Sequence, residues 1–215
     1  LSADFSSIRI FSSGFLPLLI ECLPALGHLV SKSFCQSVPF AKFSQPMERT
    51  LWVDRKFTFD YPEGWIFDIL ERLRGTTVRI ESMVNGLVED QLTRKPDGKW
   101  SIKEQIGHLY DLEALHIGRL DDFMAGKDKL RAADMTNATT HEAHHNDRPV
   151  EMLISIFAAR RKELLDKFDH LDDATQMRKA LHPRLQVMMR PIDVAYFTAE
   201  HDDHHLCWIR ILRGF

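Results

Sequence analysis

Residues 191–213 read PIDVAYFTAEHDDHHLCWIRILR, and this stretch decides the fold. Pro191 suits the first turn of a helix, where its missing N–H costs nothing. On a wheel of about 100° per residue, Val194, Phe197, His201, His205, Trp208 and Leu212 share one face, while Asp202, Asp203 and Arg210 fall opposite as solvated positions. His201 and His205 thus sit in the middle of the stripe that should face a core. An i, i+4 pair stacks on one side of a helix, close enough for both rings to reach one ion. Two adjacent buried imidazoles repel if charged, and each has a donor and an acceptor to satisfy if neutral. A divalent cation answers both demands; hydrogen bonds to other side chains or to water are the alternative.

Working outward, three more amphipathic helices precede this one. The first starts at Pro62 or Glu63, carries Trp65, Ile66, Ile69, Leu73, Ile80, Met83, Val84 and Leu87 at spacings of three and four, and ends near Gly86. A second opens on a capping box, Ser101 with Glu104, after the turn residues Pro96, Asp97 and Gly98. Its stripe is Ile102, Ile106, Leu109, Ile117, Leu120 and Met124, with Gly126 as its stop. The third begins near Asp147, with Pro149 just inside, and buries Leu153, Ile156, Phe157, Leu164 and Phe168. Residues 172–190 read as irregular, with His182-Pro183 forcing an extended dipeptide. Strand signals are weak beyond residue 60. Four such helices predict an all-α four-helix bundle. The long connection over roughly 127–147 is of the kind that carries function or mobility.

Composition narrows the function. The 215 residues are 44% hydrophobic and 27% charged with a net charge of −3, which advertises no field for nucleic acid. No apolar run is long enough to span a bilayer. Cys22, Cys35 and Cys207 show no paired spacing, so neither a disulfide framework nor a thiolate zinc site is expected. These features advertise no nucleic-acid or membrane partner; the expected protein is cytoplasmic and acts on a small molecule, with a homodimer as a candidate assembly. Histidine is the outlier: eight of the 11 fall in three clusters, at 108 and 116, at 141, 144 and 145, and at 201, 204 and 205.

On the second helix both His108 and His116 can supply a third ligand. Residues 105, 108, 112 and 115 form one seam, but His116 lies nearer the stripe centre, and periodicity does not choose. His204 lies near the edge of its face and reads as a surface group or as a neighbour that supports the ligands without being one. His141, His144 and His145 read as a solvated loop, with a lid over the site as the alternative. Glu113 lies on the apolar stripe, where an unpaired charge is costly. It is expected to orient a ligand ring, to act in catalysis, or to pair with Arg160 or Arg161 of the third helix. Tyr110 and Tyr196 read as covers of core edges, and Cys207 lies off the histidine face.

Trp100-Ser101-Ile102-Lys103-Glu104, followed by Gly107-His108-Leu109 and Glu113, resembles the second-helix signature of the DinB-like superfamily. Glu200-His201-Asp202-Asp203-His204-His205-Leu206, with Ile209 and Leu212, resembles that family's last-helix signature, and His182-Pro183 its approach to that helix. The resemblance covers residues 62–213. It implies a bundle of up-down-down-up connectivity and a divalent metal, zinc or nickel, on His108, His201 and His205, choosing His108 over His116. Relatives of this kind include thiol transferases, a maleylpyruvate isomerase and metal-dependent hydrolases. The implied function is therefore activation of a thiol or a water for S-transfer or hydrolysis on a small molecule, with a low-molecular-weight thiol as a candidate cosubstrate. A bundle that binds a metal or small ligand without catalysis is the alternative, and a dimerisation module whose histidines satisfy each other is a further one. The His-rich loop at 141–145 is not part of the shared pattern.

Residues 1–46 differ from the rest: five are charged, against 54 of the remaining 169. They contain no Met, and domain-like sequence begins after Met47. An N-terminal extension over 1–46, upstream or targeting in nature, and a bundle domain over 47–215 are expected. Pro17, Glu21 and Pro24 interrupt Phe15–Val30 and speak against a secretory signal there.

Overall fold

The structure, a computed structural model, describes residues 49–214. The expectations for residues 1–46 lie outside the described residues. Seven helices and one small hairpin follow in order: α1 (Ile66–Val84), α2 (Glu89–Thr93), α3 (Ile102–Met124), α4 (Ala138–Glu142), α5 (Val150–Asp169), α6 (Asp173–Gln176), β1 (Ala180–His182), β2 (Val187–Met189) and α7 (Pro191–Arg213). The four long helices, α1, α3, α5 and α7, are the bundle. No helix among the described residues is long and apolar enough to cross a membrane.

Local chemistry explains where the helices begin. Ser101 Oγ accepts from Glu104 N at 3.1 Å and Glu104 Oε2 accepts from Ser101 N at 2.8 Å, so the predicted capping box starts α3. Pro191 occupies the first turn of α7, and Asp193 Oδ2 accepts from the Arg190 amide at 2.8 Å just before it. Pro149 caps α5 from outside instead of entering it. Trp65 and Met124, expected on buried stripes, are both more than half exposed because they sit at helix ends beyond the neighbouring helices.

Each long helix packs on two others: α7 on α1 and α3, and α5 on α1 and α3, which places α1 diagonal to α3. The connectivity is up-down-down-up. Its parallel pair α3–α5 requires a crossover, supplied by the long connection between them. That connection is partly ordered by α4 and by a 3-10 turn at His145–Asp147. The stretch expected to be irregular contains the β1–β2 hairpin, paired antiparallel from Ala180↔Met189 to His182↔Val187. Leu130 N donates to the Leu181 carbonyl at 3.1 Å and Leu181 N to the Asp128 carbonyl at 2.8 Å, which docks the crossover on this hairpin.

The apolar core is divided in two. One half gathers Leu73, Leu120, Phe123, Leu164 and Val194; the other gathers Ile80, Ile106, Leu153, Phe157 and Ile209. Between them lies a polar layer centred on Arg161 of α5, which is 2% exposed. Its guanidinium donates to Glu113 Oε1 of α3 at 2.6 Å, to Asp202 Oδ1 of α7 at 3.1 Å and to the Leu73 carbonyl of α1 at 3.2 Å. Thr76 of α1 donates to Asp202 Oδ2 at 2.7 Å. Asp202 is therefore buried, not outward as the wheel suggests. The error is physical: α7 packs on both α1 and α3, so its buried arc is far wider than one stripe.

Two glycines let the crossover lie close on α3. A Cβ at Gly107 would stand 2.2 Å from the His145 ring, and one at Gly118 1.9 Å from the Arg131 guanidinium. Arg131 reaches past Gly118 to Asp122, which accepts from its backbone N at 2.8 Å and its side-chain Nε at 3.0 Å. Burial raises the Asp122 carboxyl's affinity for protons, but the bonds from Arg131 and Lys127 outweigh it and hold the group below the ordinary carboxylate range.

Replacing Arg161 with Met leaves Glu113 and Asp202 buried without a cation; a loss of about 3–5 kcal/mol of stability is expected in urea unfolding. For Asp122 the depressed pKa means stability that is fully present above pH ~4 and is lost as pH falls further. Asp122→Asn should therefore melt well below the parent at pH 7, and the gap should shrink as both are titrated to pH 3.

Candidate metal centre

His108 comes from α3, and His201 and His205 from α7. One ring nitrogen from each lies within 4.8 Å of the others. All three side chains are buried, at 4%, 7% and 5% exposure. The structure thus brings together the three histidines singled out by motif.

Their hydrogen bonds decide which nitrogen faces inward. The Thr140 hydroxyl donates to Asp111 Oδ2 at 2.8 Å, so toward His108 Nδ1, at 3.0 Å, it can only accept. The His108 proton is thereby placed on Nδ1 and the lone pair on Nε2. Gln105 Oε1 accepts from His205 Nδ1 at 2.6 Å, and leaves a second lone pair on Nε2. His205 Nε2 lies 3.1 Å from His201 Nε2. Two nitrogens bonded to one ion at ~2.1 Å stand about this far apart. His201 Nδ1 is buried with no partner among the described residues. The lone pair on His205 Nε2 is therefore met in one of two ways, by a proton on His201 Nε2 or by an ion that both nitrogens share.

Burial also keeps the rings neutral. It pushes His108 down to about 4, against the pull of Asp111. His201 and His205 fall well below the ordinary histidine range, through burial first and the neighbouring imidazoles second. Neutral imidazole is the form that ligates a metal, so these residues fit a divalent ion.

The histidines form one wall of a cavity of about 390 Å³, also lined by Trp52, Trp100, Leu112, Leu115 and Phe197. The Trp100 ring packs on His108 with centroids 4.6 Å apart, and Trp52 on His201 at 5.0 Å. Trp52 arrives on the segment preceding α1, where Phe57, Phe59 and Tyr61 also pack on the core at alternate positions.

The other candidates fall as follows. His116 is buried beside the site, but its Nδ1 faces Thr198 Oγ1 at 3.3 Å and its ring centroid is 6.5 Å from that of His201. His204 is half-buried, its Nε2 accepting from Trp208 at 3.3 Å and its Nδ1 facing Arg49. His141 and His144 are exposed, as read from the loop. His145 is not solvated: it is 1% exposed and bonds Asp111 through Nε2 at 2.9 Å. Gly107 makes room for its ring. Glu113 faces Arg161 and does not line the cavity. Tyr110 and Tyr196 pack on the core margins, and Cys207 is exposed. Sequence reasoning missed Gln105, Thr140 and Asp111, which orient the rings. Gln105 sits one turn before His108 on the same seam, but nothing local marks Thr140.

A four-helix bundle with three converging imidazoles is thus the class of molecule. The chain matches the model of the DinB superfamily over residues 72–209 and belongs to that superfamily. YfiT of Bacillus subtilis, described as a probable metal-dependent hydrolase with an unusual four-helix bundle topology, is similar at TM-score 0.65 and 16% identity, over 74% of this chain and 91% of that one. The mycothiol-dependent maleylpyruvate isomerase is similar at TM-score 0.55 and 10% identity, over 70% of this chain and 62% of that one. At these identities the likeness is one of fold. No curated protein matches the chain in sequence.

Ring orientation gives a test. Thr140→Val and Gln105→Leu remove the acceptors of His108 and His205, and each is expected to weaken divalent-metal affinity about 10–100-fold, read by competition with a chromogenic chelator, while the helical circular dichroism is unchanged.

Proposed function

We propose that this chain is a divalent-metal-dependent enzyme that activates a thiol or a water for S-transfer or hydrolysis on a small molecule. The observation that supports this best is the convergence of three neutral imidazoles, two with assigned inward lone pairs, on the wall of a cavity large enough for a small molecule. His108, His201 and His205 would hold the ion; zinc and nickel both suit such a donor set. A divalent ion on three neutral donors keeps its charge and open positions, and when bound it acidifies a water or thiol toward neutrality.

The remaining roles belong to the chain itself. Gln105 and Thr140 fix the tautomers of His205 and His108. Trp52 and Trp100 cover the rings and limit the water that reaches them. Glu113 is assigned a positioning role through Arg161, which sets the register of the helices that carry the ligands. The superfamily relation and the descriptions of the two structural relatives agree with metal- and thiol-linked chemistry without naming this chain's reaction.

Untagged protein is expected to bind close to one divalent ion per chain by elemental analysis. His201→Ala should abolish that binding in a folded bundle, whereas His204→Ala should retain it. Turnover across a panel of thiols with electrophiles, and of esters and amides with water, should disappear with chelator and return with zinc or nickel. Absence of divalent-metal uptake, or full uptake by His201→Ala, would overturn the reading. Metal uptake with no turnover in either panel would leave a non-catalytic binding bundle.

A further inference from the structure

The cavity beside the histidines has a second end. On α3, His108, Leu112, Leu115 and Arg119 all line it. Their spacings of four, three and four keep them on one stripe, and Arg119 lies about 16 Å along the helix axis from His108. His182 of β1 and Arg184 of the β1–β2 turn line the same cavity. They flank Phe197, whose ring centroid is 5.3 Å from that of His182 and 5.5 Å from the Arg184 guanidinium carbon. The cavity therefore runs from an imidazole wall, over a leucine floor, to a pair of arginines and a histidine.

This basic end has no paired counter-charge among the described residues. Arg119 and Arg161 are both 2% exposed, yet they are treated very differently. Arg161 holds two carboxylates, whereas the one hydrogen bond of Arg119 among the described residues runs from Nε to the Arg131 carbonyl at 3.3 Å. No carboxylate pairs with Arg119 or Arg184 among the described residues. Arg184 has a buried terminal nitrogen with no partner, and His182, 1% exposed, has Nε2 in the same condition. Asp134, the carboxylate that lines this cavity, is occupied by Thr136 and by the Ala138 amide in its own turn. A buried guanidinium without an anion is costly, and leaving two beside each other adds repulsion. Burial first and repulsion by Arg184 second lower the proton affinity of Arg119; Asp122 pulls the other way without pairing with it, and a bound anion would add to that pull.

We infer that this end of the cavity is a carboxylate-binding subsite, formed by Arg119 and Arg184 with His182, and that the substrate is a small carboxylic acid whose apolar body lies over Leu112 and Leu115 toward the histidines. A guanidinium fork matches a planar carboxylate with two parallel hydrogen bonds. The apolar floor favours a hydrocarbon body between the acid group and the reacting atom, which are held at opposite ends of the molecule. The inference rests on the reading of this cavity as the substrate site, and adds to it the class of substrate.

Hexanoate and its neutral isostere hexanamide separate this from other origins, with binding measured by calorimetry on metal-loaded protein and on His201→Ala. Hexanoate should bind both proteins and hexanamide neither. Arg184→Gln, a change in a half-buried hairpin turn, should weaken hexanoate at least tenfold; Arg119→Gln should do the same where it folds. Equal binding of acid and amide, or wild-type affinity in Arg184→Gln, would overturn the subsite. Loss of hexanoate binding in folded His201→Ala would also overturn it, since the acid would then be held at the histidines. Retention of hexanoate in a protein that takes up no metal would uphold the subsite while the metalloenzyme reading fell.

Discussion

One guanidinium holds the bundle in register. Arg161 extends from α5 into the centre of the molecule and is bonded to α1, α3 and α7 at once. Apolar packing alone leaves helices free to slide or rotate by a notch at little cost, because leucines and isoleucines interchange neighbours. A buried cation does not tolerate that freedom, since each misplaced carboxylate would be stranded in a medium that cannot solvate it. The two apolar half-cores above and below supply the burial that drives folding; the polar layer between them specifies which arrangement results.

The same layer fixes the histidines. Asp202 follows His201 directly, so once Asp202 is held by Arg161 and Thr76 the neighbouring ring must point about 100° away around α7, toward α3. Glu113 follows His108 by five residues, about 140° around α3; bonding it to α5 turns His108 toward α7. The rings meet because both ligand helices are clamped on their opposite sides. The hydrogen bonds of Gln105 and Thr140 then settle the last variable, which nitrogen faces inward. Helix placement, helix rotation and ring tautomer are thus set by successively more local interactions.

What was legible in the sequence follows the range of the forces involved. The start of α3 was readable because its capping box is closed by residues three apart, and α7 because Pro191 and the spacing of its apolar residues are local. The histidine pair was readable because i, i+4 geometry needs nothing outside the helix. The choice of His108 over His116 needed the family motif, because both rings are buried and only the position of α7 separates them. Asp202 was misread because a single-stripe wheel assumes one packing partner and α7 has two. His145 was misread because its burial depends on a glycine 38 residues away. Gly107 and Gly118, each inside a strongly helical pattern, were the available signals of close approach, but not of what approaches. The β1–β2 hairpin has three-residue strands, too short for any alternation to register.

The contrast between the two buried arginines separates architecture from function. Arg161 is closed: carboxylates from two helices neutralise it, and it does not line the histidine cavity. Arg119 is equally withdrawn from bulk water but opens on the histidine-lined cavity, with a carbonyl as its hydrogen-bond partner among the described residues. Folding alone gives no reason to bury a guanidinium this way, because an aliphatic side chain would fill the position without a desolvation cost. α3 therefore carries two kinds of polar residue on two faces. Glu113, turned to α5, is spent on holding the bundle together. His108 and Arg119, on the cavity stripe, are left with unmet valence at either end of an apolar floor, and it is that unmet valence, a lone pair at one end and a positive charge at the other, that gives the cavity its chemical direction.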